Sequence, residues 1–120
     1  MKKNTLILIF TYLLGACINA QTLTVNEATK HLGETITVCA KVAGTYITKG
    51  KSKVIYLNLE KPYPDNVFTV VIFEKSADEF AYNPLEFLKN KQICVCAKVS
   101  IYKDKPQMVV TKQEQIRVIK

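Results

Sequence analysis

Gln92-Ile93-Cys94-Val95-Cys96-Ala97-Lys98-Val99-Ser100-Ile101-Tyr102-Lys103-Asp104-Lys105-Pro106-Gln107-Met108-Val109-Val110-Thr111 is the stretch whose reading decides the fold. Ile93, Val95, Ala97, Val99 and Ile101 alternate with Cys94, Cys96, Lys98, Ser100 and Tyr102, the period-2 pattern of a strand with one buried face. Lys103-Asp104-Lys105-Pro106 interrupts the run with turn formers. Met108 to Thr111 is again β-rich, so the whole stretch predicts a hairpin. Its central pentapeptide occurs twice: Val38-Cys39-Ala40-Lys41-Val42 repeats as Val95-Cys96-Ala97-Lys98-Val99. Two strands with one pattern are expected to be neighbours in one barrel, each turning the same kind of face to the core. One recurrence with no third copy is not a repeat array.

Outward from this hairpin, the rest of the chain divides readily. Thr24-Val25-Asn26-Glu27 has the form of a capping box and predicts a short helix over about 25–32, with Val25, Ala28 and Leu32 on one face and Gly33 as its stop. His31, the one histidine, falls at the end of that helix, where an exposed residue is expected rather than a ligand. A first strand runs from about Thr35 to Tyr46, with Ile36, Val38, Ala40 and Val42 on the inner face and Gly44 marking a bend or bulge. Thr48 to Lys53 is a basic turn. Val54 to Leu59 and Phe68 to Phe73 are two more strands, joined by the proline-rich loop Glu60 to Asn66. Asn83-Pro84-Leu85-Glu86 supplies an N-cap, a proline at the first helical position and a glutamate, so a helical connector leads into the hairpin. Ile116 and Val118 extend the pattern as a possible further strand.

The N-terminus reads as a targeting segment. Lys2 and Lys3 precede the apolar run Leu6 to Leu14, which is too short to span a bilayer, and small residues follow to Ala20. Residues 1–20 are expected to be a signal peptide, with cleavage after Ala20 and no transmembrane segment left behind. Leu14-Gly15-Ala16-Cys17 also resembles a bacterial lipobox, in which Cys17 would be lipidated and become the first residue; the short tether that would follow argues for a free secreted chain. Of the 17 basic residues, Lys2 and Lys3 leave with the leader, so 15 face 10 acidic ones, a net charge of about +5. Residues 21–120 make one small domain with a single core. The positive excess is compatible with a polyanionic partner and does not require one.

The element order is helix, three strands, helix, two strands. Five strands with a helix between the third and fourth is the connectivity of the OB-fold, an all-β, five-stranded, partly open Greek-key barrel. Within 33–118 the pieces Val38-Cys39-Ala40-Lys41-Val42, Tyr56-Leu57-Asn58-Leu59, Phe68-Thr69-Val70-Val71-Ile72, Ile93-Cys94-Val95 and Tyr102-Lys103-Asp104-Lys105-Pro106-Gln107 resemble a bacterial OB-fold nucleic-acid-binding family of secreted proteins. That family has glycine where Ala40 and Ala97 stand here. Alanine suits a strand, but the departure removes any implied close approach of a ligand backbone. The resemblance implies nucleic-acid binding at the level of the family, and fold by itself does not establish function.

OB-folds bind along strands two and three and between the loops that join strands one and two and strands four and five. The residues falling there are Tyr46, Lys49, Lys51, Lys53, Tyr56, Asn58, Tyr63, Tyr102, Lys103, Lys105 and Gln107. Lysines neutralise phosphates and tyrosines stack bases. Single-stranded DNA or RNA is therefore the expected partner, with a glycan, a protein or another envelope component as the alternative. No Ser/His/Asp set, no zinc-type Cys/His spacing and no Asp-x-Asp cluster is present, so neither catalysis, a metal nor a cofactor is expected. Cys39, Cys94 and Cys96 share the parity of Lys41 and Lys98 and are placed on the outer face. In an exported chain this predicts one cross-strand disulfide, Cys39–Cys96 ahead of Cys39–Cys94, with the third cysteine free.

Overall fold

The computed structural model describes Cys17 and residues 21–120; the expected leader otherwise lies outside the described residues. Among the described residues seven strands are formed: β1 (Thr22–Leu23), β2 (Thr35–Ile47), β3 (Val54–Leu59), β4 (Phe68–Phe73), β5 (Gln92–Tyr102), β6 (Lys105–Val109) and β7 (Ile116–Ile119). Within residues 21–120 the single-turn helices α1 (Val25–Ala28), α2 (Glu74–Ala77) and α3 (Pro84–Phe87) accompany them. The strand order runs β2-β3-β4-β6-β5, and β5 pairs back onto β2, so five strands close a barrel. All these pairings are antiparallel except β4 with β6. This is an OB-fold-like barrel, as the element order predicts. β1 and β7 add short flanking strands beside β2 and β5.

The repeated pentapeptides are neighbours in the barrel. Val38 lies opposite Val95, Ile36 opposite Ala97 and Ala40 opposite Ile93, so the apolar members of each strand face inward together. They meet Leu57 and Leu59 from β3, Phe68, Val70 and Ile72 from β4, and Met108 from β6, all fully buried. β2 is long enough to serve two sheets. Its first half pairs with β5, its second half with β3, and the register shifts between Val42 and Gly44, the bend expected at that glycine. A Cβ on Gly44 would sit 3.3 Å from Pro62 Cβ, so glycine also lets the β3–β4 loop close over the strand.

Three sequence expectations change. The first helix stops at Ala28 rather than Leu32: the Thr29 hydroxyl donates back to the Asn26 carbonyl, and the chain then turns through Gly33 at φ +82°, leaving Leu32 half exposed. The capping box itself forms, with Thr24 Oγ1 accepting from the Glu27 N–H and Glu27 Oε1 accepting from the Thr24 N–H. The hairpin turn is two residues, Lys103 and Asp104, both at positive φ, so β6 begins at Lys105, two residues before the β4 pairing starts at Gln107.

The third change concerns the cysteines. The β2–β5 register sets Cys39 directly opposite Cys94 and sets Cys96 opposite Thr37. Cys39 is bonded to Cys94, across a Cα separation of 4.0 Å, not to Cys96. A partner two places along the strand is a diagonal neighbour at roughly 7–8 Å, beyond the usual reach of a disulfide. Cys96 is bonded instead to Cys17, and no cysteine is left free.

Candidate functional site

The outer face of β3 and β4 forms a floor. Alternation turns Ile55, Leu57 and Leu59 inward and leaves Tyr56 and Asn58 outward; on β4 the matching outward residue is Thr69, directly opposite Asn58. Tyr46 lies opposite Tyr56 across the β2–β3 pair, and their rings stack at 6.4 Å between centroids, tilted by 21°. The parallel pairing of β4 with β6 brings Gln107 opposite Thr69. The β5–β6 hairpin therefore rises along one side of the floor, and the β3–β4 loop with Pro62 and Tyr63 closes the other.

These elements enclose a groove of about 860 Å³. Tyr46, Tyr56, Asn58, Tyr63, Tyr102, Lys103, Lys105 and Gln107 line it. Eight of the eleven residues singled out in the sequence thus come together on one surface. Lys49, Lys51 and Lys53 do not line it: the loop between β2 and β3 carries them, exposed, beyond the groove. The ring edges are accessible, with Tyr63 76 %, Tyr46 55 % and Tyr102 55 % exposed. Exposed aromatic rings in a basic groove offer surfaces on which bases can stack. Lys103 Nζ stands 5.4 Å from the Tyr102 ring centroid, which sets a charge beside a stacking surface.

Asn66 and Thr69 were not anticipated. Asn66 Nδ2 donates to Asn58 Oδ1 at 3.1 Å and to Thr69 Oγ1 at 2.8 Å, and Thr69 Oγ1 donates to Asn58 Oδ1 at 3.2 Å. Both asparagines are only 7 % exposed. Among the described residues Asn66 Oδ1 is a buried acceptor without a partner, which costs on the order of 1–3 kcal/mol. The alternation of Phe68, Val70 and Ile72 already turns Thr69 to the outer face; no pattern marks Asn66, which reaches the floor from a loop.

Elsewhere, His31 Nδ1 lies 3.0 Å from Glu34 Oε1, an exposed local pair. Among the described residues no group of three or more His, Cys, Asp or Glu side chains is placed to hold a metal ion, and no helix there is long and apolar enough to cross a membrane.

No protein-family profile and no curated protein sequence matches the chain. Solved structures do match its shape. Yeast Stn1 and Ten1 align with a TM-score of 0.55 at 12 % identity, over 84 % of this chain and 63 % of theirs. An aspartyl-tRNA synthetase from Entamoeba histolytica aligns with a TM-score of 0.53 at 15 % identity, over 83 % of this chain and 21 % of the synthetase. At such identities the likeness establishes the barrel and no more, and the chain spans under two thirds of each neighbour's length.

Proposed function

We propose that the chain is an exported, non-enzymatic module that binds single-stranded nucleic acid with little sequence selectivity. The observation that carries this reading is the groove: four tyrosines and two lysines from β2, β3, the β3–β4 loop and the β5–β6 hairpin converge on the face of a barrel whose floor is β3 and β4. Lysines contact phosphates, which hold no sequence information, while rings accept any base face. A groove open along the barrel suits a strand whose bases are splayed out rather than a duplex. The synthetase neighbour, an enzyme that by its name acts on a tRNA, supports a nucleic-acid partner. Export is supported by the leader-like residues 1–20 and by the Cys39–Cys94 bridge, since disulfides persist in oxidising compartments.

Fluorescence anisotropy with labelled single-stranded DNA, RNA and anionic glycans at two salt concentrations tests the reading. Nucleic-acid binding that weakens steeply with salt is expected. Binding to glycans alone, with a shallow salt dependence, would replace this function with the envelope-component alternative.

A further inference from the structure

We propose that the Cys39–Cys94 bridge is a thiol-exchange site: a small-molecule thiol attacks Cys39 Sγ, Cys94 departs as a thiolate beside Arg117, and the incoming thiol is held on Cys39 as a mixed disulfide. This activity lies outside the groove and does not depend on the nucleic-acid reading.

The strand registers set three side chains in one row across the outer face of the barrel. Cys39 on β2 lies opposite Cys94 on β5, and Cys94 lies opposite Arg117 on β7. Directly opposed residues of antiparallel strands carry their Cβ atoms on one side, about 4.5–5.5 Å apart. The chain's one arginine, exposed, is therefore rooted next to Cys94. Lys41 shares the face of Cys39 but lies two residues along β2, about 7 Å away. The two sulfurs also differ in access. β1 ends at Leu23, opposite Val38, where Thr24 caps α1, and β3 joins β2 from Val42 onward. Cys39 falls between these pairings and is partly exposed, whereas Cys94 is buried at 7 % exposure.

Access and charge thus act on opposite ends of one bond. Attack on a disulfide needs approach to one sulfur, and Cys39 offers it. It is faster when the other sulfur leaves as a stabilised thiolate, and a guanidinium beside that sulfur stabilises it. A bridge kept for stability alone calls for neither feature. The electrons balance without a further oxidant. The thiolate RS⁻ gives an electron pair to Cys39 Sγ, the Cys39–Cys94 bond breaks, and its pair goes to Cys94 Sγ. A second RS⁻ attacks the R sulfur of the mixed disulfide and releases RSSR and the Cys39 thiolate. Two small thiols become one disulfide, and the bridge becomes two thiols.

Cys96 lies two residues from Cys94 and is bonded to Cys17, so serine at Cys17 and Cys96 leaves Cys39–Cys94 as the one bridge to follow. Folded chain of that kind, with its barrel monitored by circular dichroism, is mixed with excess reduced glutathione and quenched with a maleimide. Glutathione on Cys39 and maleimide on Cys94 are expected by peptide mass mapping, followed by loss of the bridge. Structural bridges of secreted proteins resist reduction by glutathione, so a bridge that persists while the barrel stays folded overturns the proposal. Glutathione found on Cys94 overturns the direction assigned to it. Rates are then measured with uncharged 2-mercaptoethanol, so that Arg117 acts on the leaving sulfur and not on the reagent. Arg117→Gln should slow reduction about two- to fivefold, the effect of losing one exposed charge pair, and Arg117→Lys should restore it. Equal rates in all three chains overturn the role of Arg117. If the serine variant does not fold, the same mapping on the wild-type chain decides, with Cys39 the expected position of the adduct and an intact Cys39–Cys94 bridge the result that refutes it.

Discussion

Replacing Lys103 and Lys105 with alanine separates a built groove from a merely basic surface. Both residues line the groove, whereas Lys49, Lys51 and Lys53 lie outside it. Each phosphate neutralised on a single strand contributes about 0.7 to the slope of log affinity against log salt, so losing two contacts should flatten the slope by about 1.4. Over a fourfold rise in salt, from about 50 to about 200 mM, the wild-type chain should then lose roughly seven times more affinity than the double variant. Tyr102→Ala should lower affinity about 5- to 150-fold, the effect of removing one stacking ring, and leave the slope unchanged. Slopes matter more than single affinities here, because Lys103 Nζ stands 5.4 Å from the Tyr102 ring and the two side chains share a surface. Anisotropy titrations of a labelled oligonucleotide of about 12 nucleotides, within the range of OB-fold site sizes, supply both readouts. The triple variant Lys49→Ala, Lys51→Ala, Lys53→Ala removes one more charge yet should flatten the slope less than the double variant. An equal or larger effect from the triple variant would refute the groove as the site, since affinity would then follow net charge wherever it lies.

Four further outcomes are expected. Removing the Cys39–Cys94 bridge by alanine at both positions releases a link across 55 residues; chain-entropy reasoning allows a loss of up to about 4 kcal/mol, and denaturant unfolding that shows no loss would mean the bridge is absent from the purified protein. If the chain is cut after Ala20, Cys17 leaves and the exported form should carry the Cys39–Cys94 bridge and one thiol at Cys96; intact mass and thiol titration check this, and a diacylglycerol adduct on Cys17 would show the lipoprotein route instead. Glu27 has its carboxyl held below the usual value by the Thr24 N–H and hydroxyl, so its contribution to α1 is present above an unfolded value near 4.5 and is lost as pH falls through the lower folded one; an NMR titration of Glu27 with amide exchange at Thr24 reads it. Gly44→Ala places a Cβ 3.3 Å from Pro62 and should displace the β3–β4 loop, weakening oligonucleotide binding more than it lowers the unfolding midpoint.

Much of this was legible in the sequence because the signals were periodic. A period of two is stated by every residue of a strand, so the inner faces of β2, β3, β4 and β5 and the outward pair Tyr56 and Asn58 could be read directly. The repeated pentapeptide even identified two strands that pair. Register is a different kind of information. It depends on where two strands slide to rest, and a shift of two residues preserves every face. Parity therefore put Cys39, Cys94 and Cys96 on one side correctly but could not choose between Cys94 and Cys96 as partner. The lysines of the β2–β3 loop failed for a related reason: loop order said which strands they join, and nothing in their spacing said which way the loop leans.

Asn66 shows what lay beyond pattern altogether. It sits among turn-forming residues, where asparagine ordinarily serves its own backbone. Here its side chain crosses to another strand and meets Asn58 and Thr69, eight and three residues away in sequence. Only 7 % of Asn66 stays exposed, and it lines the same groove as Pro62, Tyr63 and Gly44. A barrel that needed only stability would avoid an unpartnered buried oxygen such as Asn66 Oδ1, because an apolar side chain of similar size would avoid its desolvation cost. Its presence beside the groove tyrosines marks a polar floor that packing alone does not call for.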